Sequence, residues 1–408
     1  MKFNTKLLHG KAVIRYQDGA TLPPITQSNA FQYEDFQSLE RVFSHKAMGF
    51  AYSRIGNPTI AAFEQRVNEL EGGAGAIATS SGMAAITLAL LCILSPGDEI
   101  IAGSGLYGGT IDLFHDLEKL GIHTRFAHPM TPETVALLLN ERTRALFGEL
   151  ISNPALHILD VAGVARLAHD HQIPLIVDNT TATPWLARPL SLGADIVVHS
   201  SSKYLNGSGA AISGVIVDGG TFAWDMARYP ALDGFQKWGR LAFLMRLRTD
   251  LWENFGACLA PANAFLNIIG LETLGLRMER ICANAAALAA ALDRLDGVSV
   301  QHPTLPSHPS HSLSQCQLGG RGGGILTLRV GSKERAGEIL NRLRYAVIAS
   351  NIGDVRTLVI HPASTLFRKN TSEQRADAEV YDDTIRVSVG IEDVEDLIED
   401  FTRAITET

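Results

Sequence analysis

One lysine stands where it could form a Schiff base with an aldehyde cofactor. Lys203 follows an apolar, β-branched run at residues 196–198 and the three serines of residues 200–202. Such a run is typical of a strand covered on both faces, and open α/β sheets bind ligands at strand ends. A desolvated lysine amine is a nucleophile or a base, and serine hydroxyl groups beside it can hold phosphate oxygens. These features describe a pyridoxal-phosphate site; the alternative is a solvated lysine after a serine-rich turn.

A carboxylate at the end of a second apolar run favours the cofactor interpretation. Asp178 ends a Pro-Leu-Ile-Val run that begins at residue 174. The pyridine nitrogen of the cofactor needs such an acidic partner to stay protonated. Strand-like and helix-like segments alternate over residues 72–220, and this alternation predicts a mainly parallel sheet. Asp178 and Lys203 would then follow strands of the same sheet.

The composition narrows the class of partner. A chain of 408 residues with 46% hydrophobic content is long enough for two domains with separate cores. A net charge of −8 offers no basic face for nucleic acid or anionic lipid, so we expect small-molecule partners. The first residues lack an apolar signal segment, and the longest apolar run, residues 84–94, is too short to span a bilayer. A cytoplasmic protein is therefore expected.

The cysteines and histidines do not suggest a metal site. The four cysteines are widely scattered and have no CxxC spacing, so we expect neither zinc nor disulfides and interpret them as core thiols. His302, His308 and His311 lie in a loop rich in proline and serine. We expect them to be exposed imidazoles rather than metal ligands.

Two motifs resemble those of a known family. Val-Asp-Asn-Thr at residues 177–180 and His-Ser-Ser-Ser-Lys-Tyr-Leu-Asn-Gly at residues 199–207 look like the Cys/Met-metabolism family of fold-type I pyridoxal-phosphate enzymes. Residues 256–280 are similar to the sulfhydrylase branch of that family. The resemblance implies an α/β fold like that of aspartate aminotransferase, with a mainly parallel sheet in a large domain and a smaller α+β domain. The implied parts are an N-terminal arm at 1–55, a cofactor-binding domain at 56–255 and a C-terminal domain at 256–408.

The resemblance assigns most cofactor contacts to the ends of predicted strands. Lys203 would bind the cofactor covalently, and Asp178 would pair with its ring nitrogen. Residues 76–83 are typical of a strand that turns into a helix, whose amide groups at Gly82 and Met83 could hold the phosphate. The other implied contacts are Tyr107, which would stack on the ring and assist the leaving group, Asn153 on the 3′ oxygen, and Ser200 and Ser202 on the phosphate. Glu149 lies where the family carries an acid and would orient its neighbours.

The resemblance implies fewer residues for substrate binding than for cofactor binding. Arg386 lies inside an apolar strand-like run, where its guanidinium could bind an amino-acid carboxylate or form an internal salt bridge. Asn351 belongs to a segment that resembles the substrate-side loop of the family. Tyr52 and Arg54, in Tyr-Ser-Arg-Ile-Gly-Asn-Pro-Thr, would reach the active site of a neighbouring subunit. There Arg54 would bind the phosphate, and Tyr52 would contact cofactor and substrate. The expected assembly is thus at least a dimer and, by resemblance, a homotetramer.

The expected reaction follows from the same resemblance. It is γ-replacement on O-acetyl-L-homoserine with sulfide or a thiol, which gives homocysteine or methionine and acetate. The alternatives are γ-elimination to 2-oxobutyrate and ammonia, or γ-replacement with an unusual nucleophile. Ser208 stands where the family usually has histidine, and Leu366-Phe367 stands where it often has Thr-His. Both departures lie near the expected pocket and leave the nucleophile open.

Overall fold

A seven-stranded sheet forms the centre of the larger part of the molecule. The computed structural model describes residues 1–11, 19–44 and 46–408. The strands of this sheet are β1 Gly75–Thr79, β2 Glu99–Gly103, β3 His123–Ala127, β4 Thr143–Glu149, β5 Leu175–Asp178, β6 Ile196–His199 and β7 Gly214–Asp218. Their spatial order is β1-β7-β6-β5-β4-β2-β3.

Because of the strand directions, the strand ends that carry the predicted site residues lie at one edge of the sheet. β7 is antiparallel to both of its neighbours, β1 and β6, whereas β2 to β6 pair in parallel. The carboxyl ends of β1, β2, β4, β5 and β6 therefore lie along the same edge of the sheet. This edge is the expected position of a ligand site in an open α/β sheet.

Helices cover both faces of the sheet. Over both parts of the described chain, the α-helices are α1 Phe3–His9, α2 Phe36–Phe43, α3 Pro58–Glu71, α4 Gly82–Leu91, α5 Gly108–Glu118, α6 Pro132–Leu138, α7 Val161–Asp170, α8 Thr183–Leu186, α9 Ala242–Arg246, α10 Trp252–Phe255, α11 Pro261–Glu272, α12 Leu274–Leu292, α13 His311–Gln317, α14 Lys333–Arg342, α15 Ser372–Asp377 and α16 Val394–Thr406. Alternate strand residues enter two separate cores: Val177 and Val197 face one, while Ile176 and Val198 face the other. The double coverage explains why these strands are continuous apolar runs.

A five-stranded sheet organises the smaller part. Its strands are β8 Ser299–Gln301, β9 Ile325–Arg329, β10 Val347–Ile348, β11 Leu358–Ile360 and β12 Thr384–Ser388, in the order β10-β11-β12-β9-β8. All its pairs are antiparallel except β10 with β11. α12, α14 and α16 supply Leu288, Ile339 and Phe401 to its core. The predicted α/β class, with a smaller α+β part, is confirmed.

The start of the chain contains two short helices that the sequence did not indicate. α1 buries Leu7 against α3, α11 and α12, so distant contacts stabilise it. α2 begins after Asp35, whose side chain accepts a hydrogen bond from the Ser38 N–H. Residues 12–18 and 45 of the predicted arm lie outside the described residues. The division at residue 255 stays a prediction, and α11 contributes Ile268 to a core of the larger sheet.

The prediction of exposed histidines was wrong for His302 and His308, and His311 is partly buried. His302 is fully buried, and His308 is 4% exposed. The His302 ring packs on the backbone of Gly322, where a Cβ would lie 2.5 Å from it. Burial lowers the pKa of each of these two histidines to about 4, so both are neutral near pH 7.

The four cysteines differ in how deeply they are buried. Cys92 and Cys282 are buried as expected, whereas Cys258 is partly buried and Cys316 is exposed. Within the described ranges, no cluster of histidine, cysteine and acidic side chains could hold a metal ion. None of the helices in that part of the chain has the length and apolar character needed to cross a membrane.

Candidate active site

A cavity of about 430 Å³ lies at the carboxyl edge of the larger sheet. This volume is within the usual range for small-molecule sites. All the site residues predicted from the sequence line it, except Tyr52 and Arg54. They are Gly82, Met83, Tyr107, Asn153, Asp178, Ser200, Ser202, Lys203, Asn351 and Arg386. Most of these residues meet here because their strands end at the same edge, whereas Asn351 and Arg386 reach the cavity from the smaller part of the molecule.

The Lys203 amine is enclosed at the centre of the site. Its Nζ donates a hydrogen bond to Asn351 Oδ1 at 2.5 Å. Burial, followed by the positive charge of Arg386, lowers the pKa of Lys203 to about 8. A neutral amine is therefore far more available here than on an ordinary surface lysine, as a covalent role requires. The alternative of a solvated lysine does not describe this side chain.

Asp178 faces the same cavity from the end of β5. Thr180 donates its backbone N–H to Asp178 Oδ1 at 2.9 Å, and the carboxyl is 9% exposed. Burial raises the pKa of Asp178, while the hydrogen bonds from Thr180 and the charge of nearby His199 act against this rise. A cation at this position would therefore stabilise the ionised form.

A buried polar cluster supports the strands behind the site. His199 Nε2 and Glu71 Oε1 lie 2.7 Å apart with both side chains fully buried. Asn179 donates to the same Glu71 oxygen at 2.8 Å. Because His199 precedes Ser200 and Asn179 follows Asp178, this cluster fixes the ends of β5 and β6 relative to each other.

The amino end of α4 forms an anion-binding corner. Ser81 caps the helix by accepting the Ala84 N–H at 3.1 Å. The intrahelical ladder leaves the amides of Gly82 and Met83 free to bind an anion beside Ser200. Ser202 contributes differently, because its hydroxyl donates to the Ser213 carbonyl at 3.0 Å and accepts the Ser213 N–H at 2.8 Å.

Gly82→Ala is predicted to weaken cofactor binding. A Cβ at this position would lie 2.6 Å from Ser200 Cβ and 2.9 Å from Ser200 Cα, so the anion-binding corner would have to shift. We expect a loss of about 1–3 kcal/mol in binding free energy, measured by titrating the cofactor-free protein with pyridoxal phosphate. Gly337→Ala is the matched control, because nothing lies within 4 Å of its Cβ position. Equal affinities in the two variants would contradict the assignment of Gly82.

Arg386 presents a buried guanidinium without an acidic partner. It is 3% exposed, and it belongs to none of the ion pairs in the described part of the chain. One terminal nitrogen donates to Asn153 Oδ1 at 3.2 Å, the other to the Asn351 carbonyl at 3.1 Å, and Nε makes no hydrogen bond. Burial lowers the pKa of Arg386 to about 10. The internal salt bridge considered from the sequence is absent from the described structure, so the guanidinium is free to bind a carboxylate.

Tyr107 stands at the start of α5 and is 41% exposed. Its backbone N–H donates to Glu149 Oε1 at 2.7 Å. A Cβ at Gly109 would lie 2.6 Å from the Tyr107 ring, so glycine at this position leaves room for the ring. Leu366 also lines the cavity, where it adds an apolar surface.

Tyr52 and Arg54 do not reach the cavity of their own chain. The Arg54 guanidinium lies 5.6 Å from the centre of the Tyr52 ring and donates to the Glu253 carbonyl at 2.7 Å. Both side chains lie at the surface. Their role in a neighbouring site stays a prediction.

Sequence reasoning missed Thr180 and Ser213. Thr180 bonds Asp178 through its N–H, and its hydroxyl accepts the Ser200 N–H at 2.8 Å. Its place directly after the Asp-Asn pair was a usable signal. Ser213 had no such signal, because its contact with Ser202 depends on how β7 returns along the sheet.

The donor set fits pyridoxal phosphate. An enclosed lysine, a buried carboxyl without a cation and a glycine corner at a helix N-terminus match its aldehyde, ring nitrogen and phosphate. The unpaired Arg386 matches the carboxylate of an amino-acid substrate.

Comparison with known proteins gives the same result. Residues 4–406 match the family model described as Cys/Met metabolism PLP-dependent enzyme. The chain is 39% identical to O-acetyl-L-homoserine sulfhydrylase 1 of Thermus thermophilus, over 99% of this chain and 100% of that protein. It is also 39% identical to the homocysteine synthase of Schizosaccharomyces pombe, with 99% and 98% covered.

A solved structure agrees in fold. The crystal structure described as an O-acetylhomoserine (thiol)-lyase of Campylobacter jejuni superposes with a TM-score of 0.94 at 33% identity, with both chains fully covered. It contains N'-pyridoxyl-lysine-5'-monophosphate. With a family match over nearly the whole length and a site whose groups suit the cofactor, this chain belongs to the family of Cys/Met-metabolism pyridoxal-phosphate-dependent enzymes.

Proposed function

We propose that this enzyme replaces the acetoxy group of O-acetyl-L-homoserine with sulfide or a thiol, giving homocysteine or methionine and acetate. The observation that carries the proposal is the buried, unpaired guanidinium of Arg386, which shares the cavity with Lys203. It suits an α-amino acid whose carboxylate is bound by Arg386 while its amino group lies near the lysine. The relatives named as O-acetylhomoserine sulfhydrylase and homocysteine synthase support the choice of amino acid.

The residues that would hold the cofactor act from one sheet edge. Lys203 would bind it covalently, Asp178 would face its ring nitrogen, and Asn153 would bond its 3′ oxygen. The phosphate would lie at the amides of Gly82 and Met83 with Ser200, and with Ser202 once its hydroxyl group releases the Ser213 carbonyl. The bound cofactor supplies an electron sink that acidifies the protons on Cα and Cβ of an amino acid.

The reaction needs three groups from the protein: a base, a group that binds the substrate carboxylate, and an acid that assists the leaving group. Lys203 Nζ, once released, would take the Cα proton, for which a pKa of about 8 is well suited near neutral pH. Arg386 would hold the carboxylate and so fix Cα beside the amine. Tyr107, which lines the cavity and is partly exposed, would assist departure of the γ-substituent through its hydroxyl group.

Covalent capture of the cofactor is predicted to follow the pKa of Lys203. The amine reacts only when neutral, so the capture rate of cofactor-free protein should rise with pH and level off above about pH 8. An ordinary lysine would give a rise centred near pH 10.5. Stopped-flow absorbance of the bound cofactor measures the profile. Arg386→Leu removes a positive charge that lowers the pKa, so it should move the midpoint upward; an unchanged midpoint in the variant would argue against this electrostatic coupling.

We also propose that a second subunit completes each site through Tyr52 and Arg54. Supporting this, the N-terminal arm exposes apolar side chains, with Phe36 71% and Phe43 57% exposed. Lys203→Ala and Arg54→Leu subunits, each impaired alone, should regain activity when mixed, because one hybrid site receives neither change. Failure of well-formed mixed oligomers to regain activity would contradict the shared site. A cytoplasmic homotetramer stays a prediction.

One assay tests the proposed reaction. Purified enzyme with bound cofactor is incubated with O-acetyl-L-homoserine, with and without sulfide, and homocysteine and 2-oxobutyrate are measured. Homocysteine that forms only with sulfide is the expected result. Rapid 2-oxobutyrate without sulfide would instead identify γ-elimination, and absence of both products would exclude this substrate.

A further inference from the structure

The loop that carries Tyr107 has cavities on both sides. Tyr107 borders the cofactor cavity, while residues 103–106 border a second cavity of about 240 Å³. The buried side chain of Leu106 anchors the loop from within. The position of Tyr107 itself therefore depends on specific bonds more than on surrounding packing.

Glu149 supplies such a bond from the end of β4. Its side chain lines both cavities, and its Oε1 accepts the Tyr107 N–H at 2.7 Å. The Asn153 backbone N–H also bonds this carboxyl. One side chain thus joins Tyr107, which is expected to assist the leaving group, to Asn153, which is expected to contact the 3′ oxygen.

The same carboxyl lies beside Asp178. Glu149 pairs in register with Asp178 across β4 and β5. Burial and the Asp178 charge raise the pKa of Glu149 well above its usual value, against two backbone hydrogen bonds that lower it. Burial raises the pKa of Asp178 as well, but the hydrogen bonds from Thr180 and the charge of His199 oppose that rise. Of the two neighbours, Glu149 is better suited to carry a proton.

We infer that Glu149 is a protonated positioning residue, which fastens Tyr107 to the cofactor-binding edge without adding a negative charge beside Asp178. The inference rests on the proposed function for its effect on turnover. A glutamine would preserve it, because its amide oxygen accepts the Tyr107 N–H and it carries no charge. A leucine would remove the acceptor at similar size and leave that N–H without its partner.

The kinetic experiment compares Glu149→Gln with Glu149→Leu in the enzyme with bound cofactor. Glu149→Gln should keep kcat within about threefold of the original enzyme. Glu149→Leu should lower kcat by about 10- to 100-fold, with little change in KM for O-acetyl-L-homoserine. Glu118→Leu is the control, because Glu118 lies at the other end of α5 and accepts the Thr124 N–H outside the cavity. An active Leu variant, or a Gln variant as impaired as Leu, would overturn the inference.

The absorbance spectrum of the bound cofactor tests whether Glu149 carries a proton, and this measurement does not depend on turnover. The ionisable groups around Glu149 are Asp178, Tyr107, Lys203 and Arg386 at the first cavity, with His157 and Asp160 at the second. The pH dependence of absorbance of the bound cofactor should be the same in the Gln variant and the original enzyme. If Glu149 were ionised, Gln would remove a negative charge and shift the profile to lower pH; such a shift would overturn the inference even if O-acetylhomoserine were the wrong substrate.

Discussion

Lys203→Ala should lose both the visible absorbance of bound cofactor and essentially all turnover. The substitution removes the amine that would hold the cofactor and the base that would take the Cα proton. We expect a fall in kcat of roughly 10⁴-fold or more, since two functions depend on one atom. The measurements are the absorbance spectrum after dialysis and homocysteine formation with saturating pyridoxal phosphate.

The fold should survive this change. Lys203 Nζ makes one hydrogen bond, to Asn351, and its burial as a cation opposes folding rather than favouring it. Lys333→Ala, on the exposed face of α14, is the control for a general effect of losing a lysine. A Lys203→Ala variant that retained substantial turnover would refute the assigned role, provided the protein is free of the original enzyme.

Arg386→Leu should raise KM for the amino acid by about 30- to 4000-fold. Loss of a buried, charge-assisted carboxylate contact typically costs 2–5 kcal/mol. The cofactor should stay bound, because Arg386 is not among the residues expected to hold it, although it donates a hydrogen bond to Asn153, which is. Arg386→Lys should give a KM between those of the original enzyme and Arg386→Leu, since lysine keeps the charge and loses the two parallel hydrogen bonds of the guanidinium. Steady-state kinetics over a wide substrate range measure the effect.

Thermal stability distinguishes a carboxylate-binding role of Arg386 from a structural role. Removing one partner of a buried ion pair is strongly destabilising, whereas removing an unpaired buried charge is not. Thermal unfolding of Arg386→Leu should therefore change little. Arg329→Leu, in the neighbouring strand β9, breaks an ion pair with Asp383 and should leave KM unchanged. An Arg386→Leu enzyme with an unaltered KM would exclude the carboxylate role.

Many of the residues expected to bind the cofactor could be predicted, because their positions depend on local sequence. Asp178 and Lys203 each follow a buried apolar run, and parallel strands bring such ends together. Gly82 follows the same logic at a helix start. In these cases the residue, its strand and its place at the edge are all encoded within a few positions.

The remainder depends on contacts between distant segments. The bond from Tyr107 to Glu149 spans 42 residues, and no local pattern indicates it. Composition suggested an exposed loop around His302, but a turn against Gly322 buries the ring. The helix α1 depends on packing against α12, which begins at Leu274. The predicted role of Tyr52 and Arg54 in a neighbouring site involves a second subunit.

The two anchors of the site belong to different sheets. Lys203 follows a strand of the larger sheet, while Arg386 lies in β12 of the smaller one. These sheets have separate hydrophobic cores. An amino acid held at both ends would link the two sheets while it is bound, and its binding free energy would add to the stability of their association.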